Sequence, residues 1–194
     1  MNYRLPSSLE VCGREYEIRT DYRAVLDVFK ALSNPNLSEP KKAEAILTKI
    51  YANVSKLPYA GIGEAITKAL WFINGGKESD GSGKKSPRLF DWEQDFELII
   101  APINKSLGFD VRAVDNLHWW TFLSEFQEMG DCLFAQVVAI RSKLARHKPL
   151  SKAEREWYRH NRKIVDIRTE YTDAEKELIS AWTLPPKNLV KAYQ

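Results

Sequence analysis

From Tyr22 onward the apolar residues return every three or four positions, block after block, and that period constrains the chain more than any other feature. Tyr22, Val25, Leu26 and Phe29 follow Asp21, which can cap a helix ending near Ser33-Asn34-Pro35. Pro40 opens a second block with Ala43, Ile46, Leu47 and Ile50. Pro58 precedes a third, in which Tyr59, Ile62, Ile66, Ala69 and Ile73 share one stripe. Trp71 falls on the opposite side of that third helix, beside Glu64, Thr67 and Lys68. Stripes of this period come to lie on one face only when the chain is helical.

The pattern continues in the second half. Asp91, with Gln94 three residues later, can cap a helix carrying Trp92, Phe96, Ile99, Ile100, Ile103 and Leu107. The stripe holds its phase across Pro102, which predicts a kink and not a stop, and Gly108 is placed to end it. With Asp115 or Asn116 as cap, Trp119, Phe122, Leu123 and Phe126 share a face; Trp119 is therefore core and Trp120 sits on the flank. Gly130-Asp131 would close that helix and cap the next, with Leu133, Val137, Ile140 and Leu144 in line. A turn so short predicts an antiparallel pair. Ser151 and Glu154 form a capping box before Trp157, Asn161 and Ile164, and Thr172 and Glu175 repeat it before Leu178, Ala181 and Trp182.

The start differs. In SLEVCGREYEIR apolar and polar residues alternate, predicting a β-hairpin with a Gly13-Arg14 loop. That register pairs Val11 with Tyr16 and Leu9 with Ile18, and sets Glu10 opposite Glu17. A hairpin alone is marginal, so its apolar face must lie on helices. The expected fold is mainly α: a bundle of about seven helices with a short N-terminal β-hairpin.

Residues 75–88, GGKESDGSGKKSPR, lack any large apolar side chain and read as a mobile loop or linker. The stretch fails as a phosphate-binding loop: Glu78 stands where a glycine is needed and Lys85 where serine or threonine belongs. The expected organisation is residues 1–74 as hairpin plus helices, 75–88 as linker, 89–184 as a helical C-terminal part and 185–194 as a tail. One compact domain overall is the alternative.

Catalytic signatures are missing from the sequence. It holds no HExxH, GxSxG or glycine-rich dinucleotide motif, and His118, His147 and His160 lack metal-ligand spacing. Glu125 and Glu128 sit one turn apart, as a solvated face does. Cys12 and Cys132 lie far apart without a CxxC, which points to a reducing compartment. No apolar run reaches the roughly 20 residues of a membrane span, and the start lacks a signal peptide's apolar stretch. A non-enzymatic cytoplasmic protein is expected, with no catalytic or metal site and no cofactor.

Charge is uneven. The net surplus is +3, yet residues 141–168 carry ten basic residues against three acidic ones. Arg155, Arg159 and Arg162 share a helix face opposite Trp157 and Ile164. Such a stripe can meet phosphates or an acidic protein, or simply keep an outer face wet. Aromatics join it only at Trp157 and Tyr158, little for a base-stacking platform.

The run FDWEQDFELIIAPINKSLGFDVRAVDNLHWWTFLSEF, then LFAQVVAIRSKL and a basic helix, resembles a family of tailed-phage proteins named after gene product fifteen. The hairpin and TDYRAVLDVF helix resemble that family's opening, so the likeness spans about residues 5–168. Its most specific parts are the acidic-aromatic run at 91–97, the His118-Trp119-Trp120-x-Phe122 cluster and Ile140-Arg141. The resemblance implies a tail assembly chaperone of a long-tailed phage. Such a protein binds the tape-measure protein in the host cytoplasm, helps tail tube protein polymerise around it, and is absent from the mature virion. A homo-oligomer is compatible with this. Helical phase makes Trp71 and Trp120 the candidate partner-binding anchors and Arg155, Arg159 and Arg162 the candidate rim. Two other readings stand beside it: a structural virion protein (head–tail connector or tail completion), and a nucleic-acid binder using the 141–168 stripe.

Overall fold

The N-terminal turn is set by which residues can take a left-handed backbone. In the computed structural model, which describes residues 4–78 and 87–168 together with 172, 173 and 175, β1 (Ser8–Val11) pairs antiparallel with β2 (Arg14–Glu17). The loop is Cys12-Gly13, not Gly13-Arg14, with φ of 51° and 73°. A two-residue type I′ turn needs positive φ at both positions; glycine takes one of them freely, and Arg14 is released to the strand. Leu9 therefore faces Tyr16, and Val11 faces Arg14. The shift is two residues, so the same side chains still point inward: Leu9, Val11 and Ile18 are buried. Glu10 faces Glu15 on the wet side.

The helices are α1 (Tyr22–Ser33), α2 (Glu39–Ile50), α3 (Ile62–Ile73), α4 (Phe96–Leu107), α5 (Trp119–Gln127), α6 (Leu133–Ala145) and α7 (Lys152–Val165). Among the described residues the architecture is mainly α with one hairpin, as the periodicity predicts. Asp21 caps α1 by accepting from Arg23 N. The Arg19 guanidinium donates to the carbonyls of Thr48, Tyr51 and Ala52, closing the end of α2. The hairpin rests on the start of α3, where Gly61 is needed: a Cβ there would lie 2.8 Å from Cys12 Sγ and 3.0 Å from Val11 Cγ1.

Four local expectations need correction. On α3 the buried face is Ala65, Ala69, Phe72 and Ile73. Tyr59 lies in a 3-10 turn ahead of the helix, out of its phase, and is 96% exposed. Second, α4 begins at Phe96 and not after Asp91; residues 92–95 form a turn whose first amides bond to Asp91 Oδ1. The helix does run through Pro102 and ends at Gly108, with φ of 77°.

Third, α5 is capped by His118, not Asp115 or Asn116. Arg23 explains the delay: its guanidinium donates to the carbonyls of Val111, Val114 and Asp115, holding that backbone out of helical geometry. His118 Nδ1 accepts from Trp120 N at 3.0 Å, which leaves Nε2 to donate to Pro6 O at 3.0 Å. Fourth, Cys132 and not Asp131 caps α6, through Sγ. The buried face of α6 is Phe134, Val137, Ile140 and Arg141, while Leu133 and Leu144 are exposed. Its main neighbour is α7; it meets α5 near its own start, where Phe126 and Phe134 touch.

The capping box of α7 forms as expected, with Glu154 also bound to Lys143. The helix bends at Asn161 (φ −116°, ψ 19°), whose Nδ2 donates to Trp157 O. The main core draws on residues from both sides of the 75–88 stretch. Tyr22 stacks on Phe122 at 4.6 Å, and Trp119, 1% exposed, donates its indole N–H to Ile73 O at 2.8 Å. No helix among the described residues is long and apolar enough to cross a membrane. Most of the 75–88 stretch (79–86), the stripe Leu178, Ala181 and Trp182, and the tail 185–194 lie outside the described residues.

Candidate functional site

The late start of α4 makes room for an aromatic cleft. The turn at 92–95 swings Trp92 out of helical phase and onto Phe29 of α1, with ring centres 5.4 Å apart and nearly parallel. Trp92 also touches Phe90, Trp119, Phe122 and Phe126, so it joins the core to the surface. Between α1 and this turn lies a cleft of about 850 Å³ whose apolar lining is Leu26, Phe29, Trp92 and Phe96. All four are half-buried, packed on the core with one side open. Lys30 and Glu93 bridge its edge at 2.7 Å. A smaller hollow, floored by Phe90, Trp92 and Val138, shares Ser33 and Asp91 with it and extends the furrow toward α6.

Beneath this cleft the turn is held by a buried ion pair. Arg141, 4% exposed, donates Nη1 to Asp95 Oδ2 at 2.5 Å and Nη2 to Asp95 Oδ1 at 2.9 Å. Its remaining donors reach Val165 O, Ile164 O and Leu89 O, so all five N–H groups are engaged. Asp95 also accepts from Asp91 N. One guanidinium thereby fixes the turn before α4, the face of α6 and the last turn of α7. The acidic-aromatic run and Ile140-Arg141, two of the three most characteristic stretches of the sequence, are two halves of one junction.

The sequence-derived candidates fall elsewhere. Trp71 and Trp120 do meet, edge to face at 5.5 Å, and Trp120 donates its indole N–H to Phe72 O. The Gly75-Gly76 turn lies on them: a Cβ on Gly76, at φ +81°, would stand 2.9 Å from the Trp120 ring. Both indoles are half-buried, and neither lines the cleft. Arg155, Arg159 and Arg162 are exposed on the outer face of α7. Arg162 pairs with Asp166 at 3.3 Å and lies over the Tyr158 ring. The Tyr158 hydroxyl donates to Asp166 Oδ1 at 2.7 Å, and that bond, with some desolvation, raises its pKa. Arg141 leaves the expected basic surface altogether, because it is buried against Asp95.

Among the described residues, no three His, Cys, Asp or Glu are grouped so as to hold a metal ion. Trp92 and Phe29 escaped the sequence reading because their helical phase marks them as core. No signal in the sequence separates these half-covered rings from sealed ones.

A family model described as "Bacteriophage Gp15 protein" matches residues 1–167 of the chain. No curated protein and no solved structure matches it.

Proposed function

We propose, since the chain belongs to the bacteriophage Gp15 family, that this phage protein is a non-enzymatic tail assembly chaperone whose aromatic cleft receives a helix of the tape-measure protein. The observation that carries the reading is the cleft floored by Leu26, Phe29, Trp92 and Phe96. An amphipathic helix seeks such a furrow for its apolar face, with large aromatic side chains as anchors and a polar rim. Lys30, Glu93 and Asp27 supply that rim. The buried ionisable pair lends no support to catalysis, because every donor of Arg141 is spent on structure. In this proposal the protein works in the host cytoplasm and leaves before the virion matures. The Trp71–Trp120 pair, and separately Arg155, Arg159 and Arg162, are further candidate surfaces, suited to another part of the client or to tail tube protein.

Co-expression with the tape-measure protein of the same phage tests this. The wild-type chain is expected to keep that protein soluble and to co-purify with it. Leu26→Glu, placed on the cleft wall, loses co-purification while its thermal unfolding stays cooperative. If the wild-type chain leaves the tape-measure protein's solubility unchanged, the reading is wrong. Its presence in purified particles would favour a structural virion component instead.

A further inference from the structure

The chain leaves α7 along the cleft. Gln94 Nε2 donates to Asp166 O at 2.9 Å, and Gln94 Oε1 accepts from Arg168 N at 2.8 Å, so the exit is stitched to the wall that carries Trp92. Arg168 itself lines the cleft. On the α1 side, Asp173 N donates to Asn36 Oδ1 at 3.1 Å, and Asn36 is another lining residue. Residues 168 and 173 are thus fastened to opposite lips of one furrow.

At the second lip a helix is set to begin. Thr172 N donates to Glu175 Oε2 at 2.7 Å, and Glu175 N donates to Thr172 Oγ1 at 3.2 Å, the reciprocal pattern of a capping box. The sequence beyond it places Leu178, Ala181 and Trp182 at helical spacing before Pro185-Pro186 stops the run. The family match ends at residue 167, just where the chain reaches the cleft.

We infer that residues 176–184 of the same molecule dock in this cleft, setting the Leu178, Ala181 and Trp182 face on Leu26, Phe29, Trp92 and Phe96. Along a helix starting at Asp173, a rise of 1.5 Å per residue would put Leu178 about 8 Å and Trp182 about 14 Å from the lip, on one face with Ala181. Tethering at the lip gives the segment an effective concentration on the order of millimolar, far above that of a free competitor. Carboxylates at Asp27 and Glu93 stand exposed on the rim, paired with Lys49 and Lys30 but with lone pairs left to accept an indole N–H. A client helix would then enter only by displacing the tail; that consequence, unlike the docking, rests on the chaperone reading above.

The test uses the full chain and no client. Ser33 is exposed and lines both parts of the furrow. Ser33→Cys places a thiol there, to be labelled with a maleimide and read peptide by peptide. Cys12 and Cys132 serve as internal references. Partial desolvation, then the adjacent Glu64 carboxylate, push the Cys12 thiol above its ordinary pKa, so it is a slow reference and Cys132 is the second. Adding Leu178→Asp and Trp182→Asp is expected to speed labelling of the introduced thiol about tenfold, the change when a site nine-tenths covered is opened. The references stay constant. Equal labelling rates at position 33 in the two backgrounds would overturn the docking. Protection that fades on dilution would overturn it too, assigning the cover to a second copy of the chain.

Discussion

Arginines do opposite work in two neighbouring parts of this molecule. Arg141 on α6 is sealed from water, meets a carboxylate and three carbonyls, and joins three elements. Arg155, Arg159 and Arg162, on α7, stand in solvent on one outer face. In the sequence they form one basic block. The structure divides it: burial decides whether a guanidinium is a joint or a surface. Arg23 lies between these extremes, its side chain 42% exposed and bound to loop carbonyls.

The contrast can be broken at its strong end first. Arg141→Ala leaves Asp95 charged, buried and unpaired, and is expected to cost about 3–5 kcal/mol in urea unfolding. Asp95→Leu combined with Arg141→Met should recover part of that loss, because no lone charge then remains. Recovery stops short because the carbonyls of Leu89, Ile164 and Val165 lose their donor. A single Arg141→Ala within about 1 kcal/mol of wild type would mean that water reaches the pair. Next comes Arg23→Ala, expected to cost about 1–2 kcal/mol, since its bonds are charge-assisted but screened. Smallest is the triple change of Arg155, Arg159 and Arg162 to Gln, expected to move stability by no more than about 0.5 kcal/mol. Its readout is the salt dependence of tape-measure co-purification, which should flatten if this face meets an acidic client.

Local signals carried most of the fold. Asp21, Gly108 and the Ser151–Glu154 box each act within one turn of chain, so residue type alone places their helix ends. What was illegible depends on distant partners. Arg23 holds the backbone near Val114 and delays α5, across roughly 90 residues that no helical period records. Asp95 sits in an acidic-aromatic run and Arg141 in a basic one, and nothing local marks which charge of either run is buried until the fold brings them together. The hairpin formed as expected but in another register, for a smaller reason: alternation fixed its face, but only the backbone demand of the turn fixed its loop. The cleft was hidden because Trp92 and Phe29 are apolar residues in phase, and periodicity cannot tell a half-covered ring from a sealed one.

The grip of Arg141 on the carbonyls of Ile164 and Val165 has a mechanical side. A pull on the polypeptide past α7 reaches a guanidinium rooted in α6 and in the turn before α4 before it can peel the last turn away. The chain's departure point therefore keeps a fixed bearing beside the cleft. Cargo tethered through it would be swung from a stiff pivot, not a loose string.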